Sequence, residues 1–483
     1  MDLLAPLSAH RWDESAARHL LNRVGFGPTA EEVTAFAMMG IDDAVDTLIH
    51  PERTAFTLPP PSWATAPPGT TSSQLSETES LSAGRISSLR QWWVQRMHTS
   101  PRPLEEKMTL FWHSHFATQS DKVTDPLLLY RHNQLLRDHG LDFFNLLVLR
   151  VARDAAMVRF LDLDTSQSQR PNDNFARELM ELYTLGEGNY SETDVREAAR
   201  AFTGWTVQDG RAVLDPRRFD DGRKTFLGRT GPWRSEDIIR ILFEQPTATQ
   251  FVTTKLFSFF AYPDPEPEVV TALADSFADV HFSIRDWLAR LFRSELFYST
   301  AAQGSRVKSP AEYVIGLYRQ LGIDDPPFAI TELAMRRMGQ ELLNPPDVDG
   351  WKEGTHWINA QTLMMRYHFA YFCTTGTVVE GLIDRNRSAY RAPERITDRS
   401  PLFQAADWIE ESDYGQPTAC ARQAIRRIFG RPALPAEEQR WSEYLQTASN
   451  NARVDFHLGR RMPRERFQSA AYLLLCSPEY QVC

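Results

Sequence analysis

The sequence predicts a mainly α-helical protein: a multi-helix globular bundle with long loops and a small β-hairpin excursion. Three observations carry that expectation. Apolar residues recur at helical spacing in segment after segment, and several segments open on a hydroxyl residue followed three positions later by a carboxylate. Runs compatible with β-structure are confined to the stretch near 206–228. The composition, 42% hydrophobic and 24% charged over 483 residues, belongs to a chain that can bury a sizeable core.

The elements follow in order. Residues 1–50 form N-terminal helices: Ala17, Leu20, Leu21 and Val24 share one face, and a turn at Gly25-Phe26-Gly27-Pro28 follows. Thr29 and Glu32 have the spacing of a capping box, Gly40 ends that helix, and Asp42 to His50 reads as a third. Residues 51–82, rich in Pro, Ser and Thr, read as a long surface loop. The main helical core spans 83–375. Within it, a helix starting near Leu104 ends in Phe111-Trp-His-Ser-His-Phe116, and the hairpin lies near 206–228. Ser309-Pro-Ala-Glu312 is a strong helix start. The stretch Asn344 to Trp357, with two Pro and two Gly, is irregular and either plugs a core or lines a site. An irregular connection at 376–401 leads to C-terminal helices over 402–483, packed on the core.

Charge and motifs narrow the function. A formal net charge of -10 argues against nucleic acid as a partner. The ten arginines between Cys420 and Phe467 fit ion-paired helix faces. No apolar run reaches the roughly 18 residues of a bilayer span, and the N-terminus lacks the pattern of a signal peptide, so a cytoplasmic location is expected. Four cysteines without a Cys-x-x-Cys pair indicate neither a zinc knuckle nor a disulfide framework. Gly-x-Ser-x-Gly, His-Glu-x-x-His and the dinucleotide fingerprint are absent, and Gly222-Arg-Lys-Thr225 lacks the frame of a phosphate loop.

The clearest functional signal lies between Asn172 and Trp205. At 100° per residue, Phe175, Leu179, Leu182 and Leu185 form a buried arc. Glu178 falls inside that arc and Glu181 just beyond its edge. A buried carboxylate needs a counter-charge, a metal or a donor network. An ion pair with Arg177 or Arg200 is the plain account, and a catalytic or metal-binding pair is the functional one. The helix from Leu104 supplies further candidates. It places His113 and His115 about 200° apart, so the two share one metal only if the helix unwinds near His113; His115 alone fits a hydrogen-bonded core histidine. The candidate metal ligands are His113, His115, Glu178, Glu181 and Glu106, suited to zinc, iron or manganese. The candidate catalytic groups are Glu178, Glu181, Asp162 and Arg177.

Phe111-Trp-His-Ser-His-Phe, Asn172-Asp-Asn-Phe-Ala-Arg-Glu-Leu-Met-Glu-Leu-Tyr-Thr-Leu-Gly and Arg200-Ala-Phe-Thr-Gly-Trp resemble the signature blocks of the bacterial family called domain of unknown function 1800. Leu20-Leu-Asn-Arg-Val-Gly-Phe-Gly, Lys308-Ser-Pro-Ala-Glu-Tyr-Val, Pro346-Asp-Val-Asp-Gly-Trp and Leu473-Leu-Leu-Cys-Ser-Pro-Glu-Tyr extend the resemblance over nearly the whole chain. The resemblance implies a large, mainly helical bacterial protein without an assigned reaction. It also implies a phosphatase- or sulfatase-like partner, of the family called domain of unknown function 1501, and with it an alternative role as a helical scaffold exported beside that partner. Relatives tend to carry His after the Asp-Pro-Arg motif, where this chain has Phe219.

Overall fold

The computed structural model describes residues 3–65, 79–379, 382, 402–447 and 452–483. Twenty α-helices and two small two-stranded sheets make up its regular structure among those residues. The first helices are α1 (Glu14–Val24), α2 (Ala30–Met39), α3 (Ile41–Ile49), α4 (Glu79–Thr99) and α5 (Pro103–His115). Next come α6 (Pro126–His139), α7 (Phe144–Val151), α8 (Ala155–Phe160), α9 (Asn174–Glu178) and α10 (Glu192–Ala201). Two hairpins follow, β1 (Trp205–Gln208) with β2 (Arg211–Leu214) and β3 (Lys224–Phe226) with β4 (Arg229–Gly231). The helices α11 (Ser235–Leu242), α12 (Pro246–Phe260), α13 (Pro267–Asp279), α14 (Ile284–Arg293), α15 (Pro310–Leu321) and α16 (Phe328–Arg337) lead on. The last are α17 (Ala360–Thr375), α18 (Pro417–Phe429), α19 (Pro435–Leu445) and α20 (Arg461–Leu475).

Local chemistry sets many of these starts. Thr29, Ser191 and Ser309 each accept a hydrogen bond from the backbone three residues on, and Glu32, Asp194 and Glu312 return it. The expected single hairpin is in fact two, because Pro216 and the Asp220-Asp221-Gly222 turn interrupt the β-compatible run. Phe219, in the connection between them, packs under the cations of Lys224 and Arg234. The described part of the 51–82 loop contains two short 3-10 turns, and α4 begins at Glu79. Residues 66–78, and nearly all of the 376–401 connection from 380 onward, lie outside the described residues.

The chain forms two compact units that interleave in sequence. The first comprises Met1–Leu7, Val45–Ser299 and Glu341–Lys352. Its core is aromatic, with Trp93, Trp112, Phe116, Phe144, Tyr183 and Trp287 fully buried. The second comprises Ser8–Ala44, Thr300–Gln340 and Glu353–Cys483, with Tyr313, Tyr318, Phe369, Phe467 and Tyr480 buried. Its arginine-rich end is laced by ion pairs, Arg422 to Glu438, Arg431 to Glu437 and Glu479, and Arg460 to Asp455. All four cysteines are free thiols. Among the described residues no helix is long and apolar enough to cross a membrane.

In the second unit the turn after α1 crosses α15 glycine to glycine. Gly27 has φ +91, and a Cβ there would lie 2.7 Å from the Gly316 Cα. Gly27→Ala combines a left-handed backbone with a backbone clash. A loss of about 2–4 kcal/mol is expected, read as a lower urea midpoint; an unchanged midpoint would show that the crossing can relax.

Candidate functional site

The Pro103 start of α5 gives the chain an uninterrupted helix through both histidines. His113 and His115 therefore face different surroundings and do not form a pair. His115 is a core histidine: its Nε2 lies 3.1 Å from the Tyr183 carbonyl, and its ring sits among Phe111, Trp112, Phe116 and Phe144. Burial, with Lys255 nearby, holds it well below the usual histidine range and so neutral.

Glu106, expected among metal ligands, is instead the centre of a buried ion cluster. Its fully buried carboxylate accepts from Arg96 Nε at 2.7 Å, Arg137 Nε at 2.8 Å, Arg137 Nη2 at 3.0 Å and Trp93 Nε1 at 3.2 Å. Trp92 lies against both guanidiniums. Burial pushes this carboxyl up, but Arg137 and Arg96 together outweigh it and hold the group below the usual range. With its lone pairs taken by cations, Glu106 has none to offer a metal.

His113 has a different neighbour, one the sequence reading missed. Its ring centroid is 6.0 Å from that of His132 on α6, 5.6 Å from that of Trp351 and 5.3 Å from that of Trp93. His132 Nδ1 lies 3.0 Å from Asp154 Oδ2, which also caps α8. Both nitrogens of His113, Nε2 of His132, both amide atoms of Asn133 and Nε1 of Trp351 are buried without a hydrogen-bond partner among the described residues. Burial, then His132, keeps His113 neutral. A signal was present: His132 and Asn133 lie on the stripe formed by Leu129 and Leu136, where apolar residues are expected.

The α9 segment departs from a regular helix. After Glu178 the chain widens into a π-helical stretch, Leu179–Thr184, closed by a bond of 2.8 Å from the Leu185 N–H to the Met180 carbonyl. Such widening is frequent at functional sites. It also means that a 100° step does not place Glu181 correctly relative to Glu178. Neither expected arginine neutralises Glu178. Arg177 grips Glu192 through both nitrogens, at 2.7 and 2.9 Å, and reaches Asp173 at 3.2 Å. Arg200 is held by Glu197 and Asp220. Glu178 is half-buried and makes no hydrogen bond or ion pair among the described residues. Burial, then Glu181, push its carboxyl above the usual range; Arg177 opposes this and Asp349 adds to it. Glu181 accepts a bond of 2.5 Å from the Tyr190 hydroxyl.

The segment 341–352 passes over this region. Arg90 anchors it, donating to the Leu342 carbonyl at 2.7 Å and pairing with Glu341 at 2.8 Å. Ser120 N–H donates to the Leu343 carbonyl, Gln119 to the Pro345 carbonyl, and the Trp351 N–H to Ser114 Oγ. Gly350 then crosses Ser114 with φ +82, so close that a Cβ would lie 2.2 Å from the Ser114 carbonyl oxygen. That crossing puts Trp351 against His113 and Asp349 within electrostatic reach of Glu178.

The structure thus groups Glu178 with Glu181 and Tyr190, with Asp349, paired to Lys352, acting on Glu178 only through space, and separately His113 with His132. Asp162 stands apart, with a left-handed backbone and a salt bridge of 2.7 Å to Lys122. Among the described residues no three His, Cys, Asp or Glu side chains converge as metal ligands, so the five expected ligands do not form one set. What the carboxylate group can do is move a proton: it has an uncompensated carboxyl with a raised affinity for one.

A family model described as "Protein of unknown function (DUF1800)" matches residues 19–482. No curated protein and no solved structure matches the chain.

Proposed function

The chain belongs to this family of proteins of unknown function, DUF1800, and we propose that it is an enzyme of acid–base chemistry in which Glu178 transfers the proton. The observation that carries this reading is that the half-buried Glu178 carboxyl has no ion pair or hydrogen bond among the described residues, while Arg177 and Arg200 are committed to other acids. A carboxyl kept this way, its affinity for a proton raised by burial and by Glu181, is suited to donating one. Glu181, accepting from Tyr190, supplies the partner carboxylate. Two such groups in different environments suit hydrolysis, with one as acid and the other as base. Glu178 and Glu181 disfavour an anionic substrate and favour a neutral or cationic one, while Asp349 is paired with Lys352.

The test is a hydrolase screen over neutral and cationic substrates with wild type and Glu178→Gln in parallel. The variant is expected to lose about 10²–10⁴ in kcat while keeping its fold by circular dichroism. A substrate turned over equally by both would end the proposal. So would a stoichiometric zinc, iron or manganese that Glu178→Gln and Glu181→Gln both remove, since the carboxylates would then be ligands.

A further inference from the structure

The second unit contains a cavity of about 180 Å³ that the Glu178 site does not use. That volume has room for a few waters or one small polyatomic ion. Two of the side chains lining it are cations built into the fold. Arg18 and Lys308 are each only 9% exposed, and neither has an ion pair with an acid among the described residues. Arg18 Nε is buried without a hydrogen-bond partner. The Lys308 ammonium lies 3.7 Å from the centroid of the Tyr480 ring, a contact that supplies no salt bridge to its charge.

Neighbouring acids are already committed. Arg431 takes both Glu437 and Glu479, the latter a lining residue of the cavity. Glu14, on the α1 turn before Arg18, pairs with Arg426 at 3.2 Å. Farther along α1, Arg23 is fully buried with Nε and Nη1 unpartnered, its Nη2 donating to Ser305 Oγ at 3.2 Å. The backbone makes room for this arrangement: Gly430 has φ +72, and a Cβ there would lie 1.8 Å from Arg18 Cδ. Glu14 acts on Arg18, and Cys483 and Glu312 on Lys308, only through space and without a salt bridge, so these buried cations still have donors and positive charge to offer an anion.

We propose that this cavity binds a small anionic ligand, bearing phosphate or carboxylate, through Arg18 and Lys308. Planar Arg18 offers a forked set of donors and Lys308 a point charge, the combination used for such groups elsewhere. Burial also lowers the Lys308 ammonium to about 8, offset in part by Cys483 and Glu312, which makes the amine a usable reporter.

The experiment is calorimetric titration of the full chain with inorganic phosphate and, separately, citrate. One site is expected for at least one of them, which identifies the headgroup. Arg18→Met and Lys308→Met should each weaken it about tenfold or more. Arg461→Gln, at a side chain 92% exposed, should leave it unchanged. A second readout needs no variant: acetylation of Lys308 near pH 8, followed by peptide mass spectrometry, should slow about fivefold or more under saturating anion. Binding that survives both substitutions overturns the proposal. So does the absence of both heat and protection at roughly 10 mM of either anion.

Discussion

Glu106→Ala is expected to destabilise the first unit by about 3–5 kcal/mol. The substitution leaves Arg96 and Arg137 buried with no carboxylate between them, and it takes the acceptor from Trp93 as well. Removing one partner of a buried ion cluster costs far more than the cluster contributes over an apolar replacement, because the surviving charges stay desolvated. Glu106→Gln should fall between, since an amide oxygen accepts but carries no charge. The pH dependence has a definite sign. The folded carboxyl lies below its usual range, so its contribution is present above the unfolded pKa and is lost as pH falls through the folded one. Urea unfolding of wild type and variant near pH 7, followed by tryptophan fluorescence, measures the effect. A shift under about 1 kcal/mol would mean that the arginines find other acceptors.

Gly350→Ala is expected to cost about 2–4 kcal/mol and to disturb the site at the same time. Its Cβ would meet the Ser114 carbonyl oxygen at 2.2 Å, and its φ of +82 already excludes most side chains. The obstruction is backbone, so no rotamer relieves it; the loop must lift. Lifting it draws Trp351 from His113 and Asp349 from Glu178. The near-ultraviolet dichroism of tryptophan should change together with the unfolding midpoint. Loss of stability with an unaltered tryptophan signal would show that the loop adapts elsewhere.

These two positions also mark how far the sequence could be read. Capping residues such as Thr29 and Ser309 declared the helix starts, because a cap acts within four residues of itself. The anomaly at Glu178 was legible for the same reason: it interrupts the apolar arc of its own helix. Helical spacing points to Glu106 as a ligand because it says where a side chain leaves its helix and nothing of what meets it. Its partners come from α4 and α6. Arg177 and Arg200 were reasonable counter-ions on sequence proximity, yet Glu192, Glu197 and Asp220 hold them. The π-helical stretch was out of reach, since its extra residue per turn is set by packing and leaves no local signature. His132 is less conspicuous in the sequence than the His-x-His of α5, although it too stands on an apolar stripe.

The central claim is that Glu178 is an uncompensated carboxyl kept for chemistry and not a structural partner. Its folded pKa is raised, so its contribution to stability is full below the unfolded pKa and is lost as pH rises through the folded one. Glutamine resembles the protonated form and carries no such loss. Urea unfolding of wild type and Glu178→Gln near pH 4 and near pH 8 therefore tests the claim directly. The account predicts equal stability at the lower pH and a more stable variant at the higher one. A variant less stable than wild type near pH 8 would contradict it.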